Sequence, residues 1–108
     1  MPLDENRLVD LMVELRKTLM RKNALYRDAV FSFGEYGILV RAWDKIVRLR
    51  TLLEALEASD DPAEVPVPRD EIEKSIDDAW KDLAGYAVLG LYYRRHVARE
   101  KDREVAAS

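Results

Sequence analysis

Apolar residues recur along this chain at intervals of three and four. In the first segment Leu8, Leu11, Met12, Leu15 and Leu19 form one stripe, while Arg7, Asp10, Glu14, Arg16 and Lys17 occupy the other faces. That period predicts an amphipathic helix over about 3–22, with Asp4 or a neighbouring residue as its N-cap. A second helix is expected over 37–57, carrying Ile38, Leu39, Ala42, Trp43, Ile46, Val47 and Leu49 on most of its circumference. So wide an apolar arc expects burial. The third, over about 70–99, opens on the acidic turn Asp70-Glu71-Ile72-Glu73, which suits the positive end of a helix dipole. Its stripe is Ile72, Ile76, Ala79, Leu83, Ala87 and Leu91, joined by Trp80 and Val88. Gly85 and Gly90 each cost a helix about 1 kcal/mol and point to close packing there.

The intervening stretches lose this period. Residues 22–37 are aromatic-rich and read as the frayed end of the first helix followed by an ordered loop, with Phe31 and Phe33 as core plugs. Residues 58–69 hold three of the four prolines and predict a flexible surface loop within one domain. A charged tail follows from about residue 99, and the lone His96 falls in the basic run just before it. The fold class is therefore all-α, three helices in a single domain. Three helices with such wide apolar faces do not cover themselves, so a bundle completed by a homodimer or higher homo-oligomer is expected.

Composition narrows the chemistry. The 108 residues contain no cysteine, which removes disulfides, thiolate nucleophiles and thiolate metal sites. With 18 basic and 21 acidic side chains interspersed, net charge −3, there is no dedicated nucleic-acid surface. No apolar run approaches the ~18–20 residues that span a bilayer, and the N-terminus lacks the regions of a signal peptide, so a cytoplasmic location is expected. A Gly-rich phosphate loop, a histidine pair and a serine triad are all missing.

What remains is carboxylates and cations at helical spacing. On the second helix Arg41, Asp44, Lys45 and Arg48 stand at i, i+3, i+4 and i+7, one continuous charged line. On the third, Ser75, Asp78, Asp82 and Tyr86 form a second line, with Asp77 and Lys81 beside it as solvent-facing residues. Asp44, Asp78 and Asp82, with Glu35 as a further ligand, could form an all-oxygen site for Mg²⁺ or Mn²⁺. Lys22, Arg41, Lys45 and Arg48 would neutralise phosphate, and Tyr26, Tyr86 and Asn23 would meet base or sugar. Together these are the parts of a metal-assisted attack of water on a polyphosphate. The plainer alternative is that Asp44 pairs within its own helix and the other aspartates are merely solvated.

Three ordered blocks add a resemblance. Lys22-Asn23-x-x-Tyr26, Gly37-Ile38-Leu39-Val40-Arg41-x-x-Asp44-Lys45-x-x-Arg48-Leu49 and Ser75-x-x-Asp78-x-x-x-Asp82-x-x-x-Tyr86-Ala87 span most of the chain. The set resembles the phage-associated nucleotide modification associated domain 1 family. That family is similar, more loosely, to the all-α nucleotide pyrophosphohydrolases of the MazG and dimeric dUTPase group. The resemblance implies a helical bundle and Mg²⁺-dependent hydrolysis of a nucleoside triphosphate or modified nucleotide, with monophosphate and pyrophosphate as products. Asp44, Asp78 and Asp82 would then be the catalytic metal ligands. The chain departs from the pyrophosphohydrolases where their E-E-x-x-E and E-x-x-D motifs would stand, at Arg41-x-x-Asp44-Lys45 and Asp78-x-x-x-Asp82. Fewer carboxylates and more cations keep two alternatives open: a module that binds a nucleotide or a partner without hydrolysis, and a purely structural helical oligomer.

Overall fold

The computed structural model describes residues 2–61, 63 and 65–100. The protein is all-α: α1 (Glu5–Tyr26), a 3-10 turn (Arg27–Phe31), α2 (Gly34–Glu57), α3 (Arg69–Tyr92) and a π-helical turn (Tyr93–Val97). Helix α1 starts where expected, because the Asp4 carboxylate accepts from the backbone N–H groups of Asn6 (2.9 Å) and Arg7 (3.2 Å). Those are two donors that the first turn cannot satisfy itself. Helix α3 begins straight after Pro68, with Asp70 and Glu71 in its first turn.

The stretch expected to be a frayed end and a loop is mostly helical. Helix α1 continues to Tyr26 and α2 already begins at Gly34. The reversal between them is made by two residues in the left-handed region, Arg27 (φ 53°) and Gly34 (φ 66°). Arginine gives no sequence signal for that conformation, which is why the break is invisible in the pattern. Phe31 packs as a half-buried residue rather than a core plug: its ring stacks on Tyr92 (6.1 Å between centroids) and tilts against Tyr93 (5.9 Å). Phe33 is not a core plug either; it is 79% exposed. Gly37 explains its position, since a Cβ there would come within 2.6 Å of the Phe33 Cβ.

Helices α2 and α3 form an antiparallel pair. Ile38 lies beside Gly90, Lys45 bonds Asp82, and Glu35 reaches Arg94 at the far end (3.1 Å). The buried apolar residues are Ile38, Leu49, Ile72 and Ala79, a thin seam between two helices. Helix α1 crosses α3 at Gly85, where Leu15 and Leu19 pack on the glycine backbone. Glu14 pairs with Lys81 beside this crossing, so Lys81, expected to face solvent, is half-buried against α1. The molecule measures 62 × 32 × 26 Å with a radius of gyration of 17.7 Å. A compact domain of this length has about 13 Å, so α1 lies largely outside the α2–α3 pair. No described helix is long and apolar enough to cross a membrane.

The two glycines of α3 separate packing from propensity. A Cβ at Gly85 would sit 3.2 Å from the Leu19 Cδ2, whereas at Gly90 it would meet Ile38 at 3.7 Å, an ordinary contact. Gly90→Ala is therefore expected to stabilise the fold by about 0.5–1 kcal/mol through helix propensity. Gly85→Leu is expected to destabilise it by about 1–3 kcal/mol by overpacking the crossing. Urea unfolding followed by far-UV circular dichroism measures both.

Candidate functional site

The crossing of α1 over α3 leaves a cleft of about 430 Å³ between α1, the 3-10 turn and the inner faces of α2 and α3. Its apolar floor is Leu15, Leu19, Gly85 and Leu89, and its rim carries Lys22, Arg27, Arg41, Lys81 and a single carboxylate, Asp82. Asn23, Tyr26 and Tyr86 complete the wall. The size falls within the range of small-molecule sites, which are mostly apolar with a few placed polar groups.

Asp82 is the electrostatic centre. Lys22 of α1 donates to its Oδ1 (3.1 Å) and Lys45 of α2 approaches its Oδ2 at 3.2 Å. One carboxylate thus holds a cation from each of the other two helices. Burial alone would push the Asp82 carboxyl up; the hydrogen bonds and charges of Lys22 and Lys45 together outweigh it and hold the group below the ordinary carboxylate value. Lys45 is the more enclosed partner, with a side chain only 14% exposed. The Lys81 ammonium is raised above the usual lysine value, chiefly by its hydrogen bond to Glu14 and that residue's charge, with smaller help from Asp77 and Asp78.

Of the residues expected to form the site, Lys22, Asn23, Tyr26, Arg41, Asp82 and Tyr86 line the cleft together, and Lys45 joins them through Asp82. Asp44 and Arg48 do not. They pair with each other within α2 at 3.8 Å, both well exposed: Asp44 is turned about 100° from its neighbour Lys45, and Arg48, though in line with Arg41, lies about 10 Å further along the helix axis, beyond the residues that line the cleft. Glu35 is engaged by Arg94 through both oxygens, at 3.1 and 3.3 Å. Asp78 is exposed, close enough to Lys81 only to act through its charge. Among the described residues no three His, Cys, Asp or Glu side chains gather in a way that could hold a metal ion. The carboxylates offered for Mg²⁺ are thus dispersed, and the one in the cleft has both oxygens committed to ammonium groups.

Asn23 has a second task. With its amide nitrogen turned inward it donates to the Arg27 carbonyl (2.7 Å) and to Asp28 Oδ1 (3.2 Å), while its own carbonyl accepts from the Arg27 N–H. It fastens the left-handed turn and so places Arg27 at the cleft. Arg27 and Lys81 are the cations that the sequence pattern missed: Arg27 lies in the stretch without helical period, and Lys81 was expected to face solvent.

Set against models of known protein families, curated proteins and solved structures, the chain finds no match in any of the three.

The lowered pKa of Asp82 bears on stability. Its folded value lies below the ~3.9 of an unfolded aspartate, so its ionisation favours the folded state. That contribution is complete above the unfolded value and is lost as pH falls through the folded one. Unfolding free energies measured from pH 6 to pH 2 should therefore show an acid loss in the wild type that Asp82→Asn lacks. At neutral pH Asp82→Ala is expected to cost about 1–3 kcal/mol, since it strands the enclosed Lys45 ammonium.

Proposed function

We propose that the cleft binds the phosphate groups of a nucleotide. The observation that carries this reading is the charge of its rim: four cations face one carboxylate in a chain whose net charge is −3. Concentrating positive charge in a concave, partly apolar site raises the local affinity for anions well above that of the surrounding surface. Lys22, Arg41 and Arg27 stand where phosphate oxygens would be met by N–H donors, the arginines with their forked geometry. Tyr26 and Tyr86 offer aromatic faces in the same cleft, suited to a base or sugar. A phosphate that draws Lys22 and Lys45 onto itself takes over the role of Asp82 as their partner.

Binding without hydrolysis is the reading that this geometry supports best. Mg²⁺-dependent pyrophosphohydrolysis is the second, and what favours it is Asp82, a carboxylate already inside the cation cluster, together with the resemblance of the three sequence blocks. We also propose that the chain works as a homo-oligomer in a cytoplasmic setting, with no membrane or extended nucleic-acid partner.

A panel of nucleoside triphosphates, monophosphates and nucleosides, titrated by calorimetry with and without Mg²⁺ or Mn²⁺, tests the reading. Triphosphates are expected to bind and nucleosides not. Arg41→Ala and Lys22→Ala should each weaken triphosphate binding by about tenfold or more, the worth of one charge-assisted contact. Product analysis of the same mixtures separates the two readings, because only the hydrolase releases pyrophosphate, and only the hydrolase loses it in Asp82→Asn. Absence of binding by any phosphate-bearing member of the panel would remove the proposal.

A further inference from the structure

The carboxylate at the centre of the cleft is already satisfied by cations. Lys22 Nζ lies 3.1 Å from Asp82 Oδ1 and Lys45 Nζ lies 3.2 Å from Oδ2, so each oxygen faces its own ammonium group. The two lysines differ in freedom. The Lys22 side chain is 51% exposed, whereas that of Lys45 is 14% exposed and is held between α2 and α3. The Lys45 charge therefore stays beside Oδ2 whatever else enters the cleft. The carboxylates nearest by are committed as well. Glu14 pairs with Lys81, Glu35 with Arg94 and Asp44 with Arg48, while Asp28 accepts from the inward-turned Asn23 amide.

This donor set does not fit a divalent cation. Mg²⁺ on Asp82 would sit about 2.0–2.1 Å from its oxygens, where the two ammonium groups now make their approach. Its double positive charge would then stand against the enclosed Lys45, in a place partly withdrawn from water where like charges repel more strongly. The same donor set fits an anion of higher charge than a carboxylate. Lys22 and Lys45 converge on a single negative charge, and Arg27, Arg41 and Lys81 stand on the same rim, with Glu14 offsetting Lys81. A terminal phosphate monoester carries about −1.5 to −2 charges near neutral pH and has three strong acceptor oxygens. It matches two converging ammonium groups better than one carboxylate does. A phosphodiester, with one negative charge, is the poorer match.

We propose that the ligand of this cleft is a terminal phosphate carrying no divalent ion, with Lys22 and Lys45 standing where a metal-dependent site would place its cation. This rests on the nucleotide-binding reading above and narrows it to a class of ligand. A nucleoside triphosphate chelates Mg²⁺ along its phosphate chain, and the chelate brings a further cation to a rim that is already cationic. A monophosphate offers Mg²⁺ a single phosphate and holds it far more loosely. With Mg²⁺ present the cleft therefore selects nucleoside monophosphates over triphosphates, although triphosphates stripped of metal bind.

Calorimetric titration of the full chain separates these ligands. The probes are the mono- and triphosphates of adenosine, guanosine, cytidine and thymidine, at fixed ionic strength, first in EDTA and then with Mg²⁺ in excess over nucleotide. Mg²⁺ is expected to lower triphosphate affinity by about tenfold or more, the size of one charge-assisted contact, and to leave monophosphate affinity unchanged. A triphosphate affinity that Mg²⁺ leaves equal or raises overturns the proposal while nucleotide binding itself stands. No binding of any probe in either buffer removes nucleotide binding, and this proposal with it. A second measurement uses neither nucleotide nor variant. Mn²⁺ added to the wild type should broaden the amide resonances of Lys22, Lys45, Asp82 and Tyr86 no more than those of the remaining residues. Selective paramagnetic broadening at those four would place a divalent ion on Asp82 and overturn the proposal.

Discussion

Three helices meet at one carboxylate. Lys22 comes from α1, Lys45 from α2, and Asp82 on α3 receives both. Elsewhere the helices touch through a thin seam: among the described residues, four buried apolar ones between α2 and α3, and the Gly85 crossing between α1 and α3. A bridge between two ammonium groups and one carboxylate, partly withdrawn from water, is directional in a way that those apolar contacts are not. It sets where α1 lies across the pair, and the position of α1 in turn defines the cleft. The same bridge makes the cleft cationic, since one aspartate cannot neutralise Lys22, Lys45, Arg27, Arg41 and Lys81 together. Glu14 takes part of the Lys81 charge, and the surplus is left to a ligand.

That surplus is what supports the proposed phosphate binding. A divalent cation seeks carboxylate oxygens free of other cations, and the geometry gives Asp82 to lysines, Asp44 to Arg48 and Glu35 to Arg94. A polyphosphate seeks N–H donors on a concave surface, and those are what the cleft concentrates. Phosphate binding is thus the common requirement of both functional readings, and hydrolysis the additional one. The aromatic contacts of Phe31 with Tyr92 and Tyr93 act at a distance from this chemistry. They anchor the 3-10 turn to the end of α3 and with it the turn that presents Arg27.

The helices were legible because their apolar residues repeat at three and four, and Asp4 was legible as a cap. The same periodicity placed Arg41, Lys45, Asp82 and Tyr86 toward one another, and the ordered blocks joined Lys22, Asn23 and Tyr26 to them. It failed where a property is not periodic. Asp44 was grouped with Lys45 because both belong to the charged line, but the rotation between neighbours turns Asp44 to solvent. Phe33 was read as buried because it stands in an aromatic-rich stretch with little proline, whereas it is 79% exposed just before α2. Arg27 was missed because a left-handed arginine looks like any other arginine until Asn23 is seen holding it. The wide apolar arc of α2 did signal burial, yet within one chain only its inner side is covered.

Entry of phosphate into the Asp82 cleft is the central proposal. Amide and side-chain nitrogen resonances, followed by heteronuclear NMR while a nucleoside triphosphate is added to the metal-free protein, test it most directly. The predicted result is a set of shifts confined to Lys22, Asn23, Tyr26, Arg27, Arg41, Lys45, Asp82 and Tyr86, with the lysine signals moving most as they leave the carboxylate. Shifts gathered instead at the apolar groove lined by Ile46 and Trp80, or no shift at millimolar nucleotide, would contradict it.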